Sequence, residues 1–263
     1  MLSKNYILVL YCLLIAGLLA GCSKTKLQDI QEGDGFAVLP APKDGERVAN
    51  FAGGCFWAMQ ECLIQLKGVN KVISGYAGGE TKNPGYDAVL TGKTGHAEAV
   101  QVYYDPEVIS FSQLTKAFFY AHDPTQLNRQ GPDVGTDYRS IAFYRNEQEY
   151  KQLVQAMDTL QAFGVYKSLP VTELREFQIF YPAEMEHQDY YKRNGWDLYI
   201  RKVSRPKVLK VQKSMPALIK DGYLNNILWD EELLLKMSIP LSENYQYNVK
   251  NLNRSGLRPN RWV

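Results

Sequence analysis

Cys55 is the residue whose surroundings most invite chemistry. It follows Gly53 and Gly54 and precedes Phe56 and Trp57, where a short apolar run (residues 48–52) gives way to helical spacing. The glycines allow a tight strand-to-helix turn. A thiol in the first turn of a helix faces unpaired N–H groups and the positive end of the helix dipole, which favours the thiolate, the reactive form. That placement suits a nucleophile; the plain alternative is a buried, inert cysteine. Phe56 and Trp57 could wall an apolar pocket beside such a thiol or simply fill the core. Cys62 lies seven residues on. That is about 10 Å along a helix axis, whereas a disulfide needs Cα atoms within about 7 Å.

The elements that must hold Cys55 can be read from periodicity. Residues 48–52 predict a buried strand and residues 58–67 a helix, with Met59, Cys62, Leu63 and Leu66 on one face. Residues 69–76 and 97–104 predict two strands, 113–122 a helix, 140–144 a strand and 147–163 a long amphipathic helix. A strand at 177–181 and a helix at 183–194 follow, and beyond Arg205 the chain reads as irregular, with one helix candidate at 229–237. Two strands joined without a long helix between them favour an α+β sheet layered with helices over a doubly wound parallel fold. With 263 residues, 45% of them hydrophobic, the chain can build one substantial domain, and a net charge of +2 gives no reason to expect nucleic acid as a partner. His96, His122 and His187 show no metal-ligand spacing, so no metal is expected; hydrogen bonds that orient loops are the expected role for all three.

The first residues read as a targeting segment. Lys4 precedes an uncharged, mostly apolar run (residues 6–20) that ends in Leu19-Ala20-Gly21-Cys22. Small residues before a cysteine resemble a bacterial lipobox, which implies a signal peptide over residues 1–21 and a lipid on Cys22. An uncleaved anchor is the alternative, since about twenty apolar residues span a bilayer. Either way the domain is expected outside the cytoplasm, tethered to a membrane. Residues 22–45, aperiodic and mixing Lys, Gln, Asp, Gly and Pro, predict a flexible tether. Cys12 would leave with the signal, so Cys55 and Cys62 are the remaining thiols.

A resemblance sharpens the reading. GGCFW, GYAGG (residues 75–79), NPGYDAV (83–89), TGHAEAV (94–100), HDPT (122–125), QGPDVGTDYRS (130–140) and EHQDYY (186–191) follow one another in the order found in methionine sulfoxide reductase A. The similarity covers roughly residues 47–200 and implies a catalytic domain over 46–205 with an extension at 206–263. It implies a two-layer, ferredoxin-like α/β plait with a mixed sheet, and reduction of the S epimer of methionine sulfoxide, free or in proteins. By the same resemblance Cys55 corresponds to the nucleophile and Glu98 to the general acid. Tyr86 and Tyr138 correspond to phenols that hold the sulfoxide oxygen, and Phe56 and Trp57 to the pocket for the terminal methyl. Asp133 corresponds to an acidic position that organises the site and assists recycling of the thiol. No bound cofactor is implied; the reductant would be an external thiol, a thioredoxin-like protein or a small molecule.

That chemistry suits these residue types. Thiolate attack on sulfur is easier when the oxygen receives a proton, so Glu98 would need a raised pKa, and Cys55 would be left as a sulfenic acid. The sequence departs from many relatives in having Ala58 after Trp57 and no cysteine after Cys62. An external thiol is therefore expected to resolve the sulfenic acid, with Cys62 the candidate internal resolving residue only if the helix start unwinds. Two other readings stand beside this one: a Cys/His hydrolase pairing Cys55 with His187, and an anchored module that binds oxidised methionine without reducing it.

Overall fold

A computed structural model describes residues 27–223. A small hairpin, β1 (Glu32–Gly33) and β2 (Phe36–Ala37), comes first. A β-α-β-β-α-β unit follows: β3 (Arg47–Ala52), α1 (Phe56–Ile64), β4 (Val69–Ala77), a short α2 (Tyr86–Leu90), β5 (Ala97–Tyr104), α3 (Phe111–Ala121) and, after the ribbon β6 (Arg129–Gln130) and β7 (Asp133–Val134), β8 (Ile141–Tyr144). Beyond it lie α4 (Glu147–Ala162), β9 (Glu173–Glu176), β10 (Phe180–Pro182), α5 (Tyr190–Arg193) and α6 (Arg205–Ser214). The main sheet has the order β10-β4-β5-β3-β8-β9. Its four central strands alternate in direction as a ferredoxin-like plait does, and β9 adds a parallel edge, so the sheet is mixed.

Strand β5 shows how the sequence sorts its side chains, since successive residues of a strand point to opposite faces. Val100, Val102 and Tyr104 join the core under α1, α3 and α6. Ala97, Ala99 and Tyr103 join a second core on the other face. Glu98 has the parity of the helix-facing set and lies opposite Tyr76 of β4. Helix α3 begins in a capping box, Ser110 accepting the Gln113 N–H while the Gln113 side chain accepts the Ser110 N–H.

Three sequence expectations are corrected. From residue 27 onward, the stretch expected as a flexible tether is laid against the domain: Ile30, Ala37 and Leu39 cover the second face of the sheet, with Ile73, Ala77, Ile141 and Phe143 beneath. Both sheet faces are apolar, and the segment buries the one the helices leave open. The helix expected at 183–194 is broken into a 3-10 turn at Met185–His187 and the short α5, with Asp189 left-handed at φ 51°. Polar contacts to residues distant in sequence displace the helix: the Gln188 side chain bonds the Ser74 N–H and carbonyl, and Asp189 accepts from Gln28. Beyond Arg205, where irregular chain was expected, α6 carries Val208, Leu209 and Val211 into the core. The signal segment, Cys12, Cys22 and the helix candidate at 229–237 lie outside the described residues. Among the described residues no helix is long and apolar enough to cross a membrane.

Candidate active site

The chain reaches Cys55 through a turn that only glycines fit. A Cβ on Gly53 would stand 2.8 Å from the Met59 methyl and 3.0 Å from the His122 ring. Gly54 has φ +75°, and its Cβ would stand 2.5 Å from Cγ of Gln130. The Gly54 N–H donates to the Tyr138 carbonyl at 3.2 Å, which ties this turn to the loop before β8. Cys55 then sits as the N-cap of α1, 5% exposed. Its surroundings amend the expectation that a helix start alone yields thiolate. Burial pushes the thiol up, and the neighbouring Glu98 charge adds to this; the Tyr199 hydroxyl, Lys207 and the Trp57 N–H pull the other way.

Glu98 is the residue that answers this thiol. Its Oε2 accepts the N–H of Phe56, the residue after Cys55, at 2.9 Å. Burial pushes its carboxyl up to about 8, with the Phe56 N–H opposing and Asp137 and Asp133 adding to the rise. At neutral pH the carboxylic acid therefore predominates. Because each group makes the other's ionised form more costly, negative charge on the sulfur is compatible with a proton on Glu98. The site thus sets a thiol beside a carboxylic acid that can donate a proton.

Aromatic side chains close round this pair. Tyr86 and Tyr138 are half-buried and lie in the field of Glu98, which together with burial keeps both phenols protonated and able to donate. Phe56 is fully buried and packs on Tyr86 with ring centres 6.4 Å apart. Trp57 is half-buried and stacks on Tyr190 at 3.8 Å. Asp133, at the start of β7, accepts from the Tyr199 hydroxyl at 2.5 Å, and that hydroxyl also bonds Cys55. Cys55, Glu98, Phe56, Trp57, Tyr86, Tyr138 and Asp133 thus surround one location.

Cys62 does not join them. It is a free thiol in the interior of α1, wholly buried in the hydrophobic core.

Several residues here were missed in the sequence. Tyr199 links Cys55 to Asp133 from a segment with no periodicity to mark it. Glu184 accepts from the Tyr76 hydroxyl at 2.8 Å and the Tyr86 N–H at 2.9 Å. His96 and His122 do orient loops by hydrogen bonds, His96 through the Gly79 N–H and the Thr81 carbonyl, His122 through the Phe118 carbonyl and Ser140. His187 does not: neither ring nitrogen has a hydrogen-bond partner, and the ring packs on Tyr86 at 4.3 Å. A hydrolase pair needs the imidazole within hydrogen-bond reach of the thiol. The Cys55–His187 reading lacks that contact. Among the described residues no three His, Cys, Asp or Glu converge as metal ligands.

The family model described as Peptide methionine sulfoxide reductase matches residues 47–218. The chain belongs to this family. Peptide methionine sulfoxide reductase MsrA of Natronomonas pharaonis is 45% identical over 166 residues, 63% of this chain and 93% of the relative. MsrA 1 of Rhodopirellula baltica is 45% identical over 178 residues, 68% of this chain and 92% of the relative. Among solved structures, reduced Mxr1 from Saccharomyces cerevisiae superimposes with a TM-score of 0.56 at 32% identity, covering 60% of this chain and 91% of that one. Methionine sulfoxide reductase A of Corynebacterium diphtheriae gives 0.54 at 31%, covering 64% and 90%. The protein is thus a peptide-methionine sulfoxide reductase, an oxidoreductase with the α+β fold of its relatives. The family match continues past Arg205 through α6, in keeping with that helix's place in the core.

Proposed function

We propose that this reductase acts on the S epimer of methionine sulfoxide through Cys55 and Glu98. The Cys55 thiolate attacks the sulfoxide sulfur while Glu98 gives its proton to the oxygen. Tyr86 and Tyr138 donate hydrogen bonds to that oxygen, and Phe56 and Trp57 receive the methyl group. The S–O bond breaks as the hydroxyl passes to the Cys55 sulfur and the bond between the two sulfurs is cleaved, so methionine leaves with its sulfur reduced by two electrons and Cys55 becomes a sulfenic acid. An external thiol, from a thioredoxin-like protein or a small molecule, then forms a mixed disulfide with Cys55 and releases water; a second thiol frees Cys55. Asp133, through Tyr199, keeps the hydroxyl network around the sulfur ordered.

The observation that carries this reading is the Phe56 N–H to Glu98 bond: it fixes a buried, largely protonated carboxyl one residue from the thiol. Cys62, buried in the core, is left out of resolution. The residues before 27 support a lipoprotein whose Cys22 is acylated, which would put the enzyme on oxidised proteins of the cell envelope. The test is thiol-driven reduction of separate S and R sulfoxide epimers. Wild type is expected to turn over the S epimer alone, and Cys55→Ser neither. Turnover by Cys55→Ser would sink the proposal, as would a Cys55–Cys62 disulfide as the main product of one turnover without reductant.

A further inference from the structure

Lys207, near the start of α6, places its ammonium nitrogen out of contact with solvent and without a hydrogen-bond partner. That nitrogen lies 3.6 Å from where a Cβ of Gly54 would stand, directly behind the turn that carries Cys55. Its charge is felt by Cys55 from the β3–α1 turn, Cys62 from α1, Glu98 from β5 and His122 after α3. His122 is held neutral by burial, its pKa lowered to about 3, and so offers no anion. Cys55 is also faced by Glu98, Tyr199, Tyr86 and Tyr190. A buried cation left without an anion is costly and persists where something nearby takes up the opposite charge. Cys62 is enclosed by apolar side chains, so the anions that can form in reach are the Glu98 carboxylate, above about pH 8, and the Cys55 thiolate; while Glu98 holds its proton, the thiolate is the one left.

We infer that Lys207 is a positioning residue for charge: its buried ammonium is the counter-ion of the Cys55 thiolate, delivered by a helix outside the plait. The inference rests on Cys55 being the nucleophile, but its test needs no sulfoxide turnover. In the full chain, iodoacetamide modification of Cys55 is followed by peptide mass spectrometry from about pH 6 to about pH 10, so other cysteines do not contribute. Lys207→Met is expected to slow modification about tenfold at neutral pH, moving the midpoint up by about one unit, while Lys207→Arg stays within about threefold of wild type. Lys207→Gln is carried in parallel so that poor folding of one variant leaves the question open to the other. Profiles of Lys207→Met and Lys207→Gln that superimpose on wild type, or a Lys207→Arg as slow as Lys207→Met, would overturn the inference. Failure of the reductase mechanism would show separately, as sulfoxide turnover by Cys55→Ser.

Discussion

Glu61, within helix α1, and Glu98, beside it on β5, are both buried acids, and burial pushes both up to about 8. Around Glu61 the chain has gathered cations: Lys192 stands 3.9 Å from its carboxylate, Lys220 lies near, and Asp189 completes a cluster joining α1 to α5 and the last described turn. Glu98 has a backbone N–H instead of a cation in contact, with a thiol and two phenols alongside. A raised carboxyl pKa thus marks burial in both places and chemistry in one. What separates them is whether the proton can be handed to something, and only Glu98 shares its space with a candidate nucleophile.

Replacing the two acids should divide their effects. Glu98→Gln keeps an acceptor for the Phe56 N–H but has no proton to give, so kcat should fall by about 10²–10⁴-fold. Its stability should move the other way. A carboxyl whose folded pKa is raised contributes stability in full below its unfolded value and loses it as pH rises through about 8. The melting temperature of Glu98→Gln should therefore match or exceed that of wild type, by more at about pH 9 than at about pH 6. Tyr199→Phe comes next: losing the hydroxyl between Cys55 and Asp133 should lower kcat/KM by about tenfold or somewhat more and raise the pH at which Cys55 alkylates. Glu61→Gln should leave kcat within about twofold, because that carboxyl shares its space with cations and not with a nucleophile. A Glu61→Gln enzyme as slow as Glu98→Gln would erase the contrast.

The plait was legible because its strands and helices carry their own signals. The strand expected at 97–104 appears as β5 over Ala97–Tyr104, the helix expected at 113–122 appears as Phe111–Ala121, and the helix proposed for 147–163 appears as Glu147–Ala162. The motif residues converge because β3, α1 and β5 are neighbours in the sheet and the layer above it. What escaped had non-local causes. Asp189 turns left-handed because Gln28, far away in sequence, supplies its hydrogen bonds. Helix α6 hides its apolar stripe among lysines and a proline, and Lys207 gains meaning only once that helix lies behind Gly54. Tyr199 sits between exposed Leu198 and a buried Ile200 in a stretch without helical or strand period, so only the fold reveals its hydroxyl at Cys55.

The docking of the N-terminal segment has a consequence for reach. Gln28 is pinned to Asp189 and to Val72, so free chain does not run up to the first strand of the plait. If Cys22 carries the proposed lipid, four residues separate it from Leu27, one residue before the pinned Gln28. At about 3.3–3.6 Å per residue, that leash extends less than about 20 Å. The reductase would then work as a bollard at the membrane surface, sweeping a shallow layer, and would repair what passes within that layer.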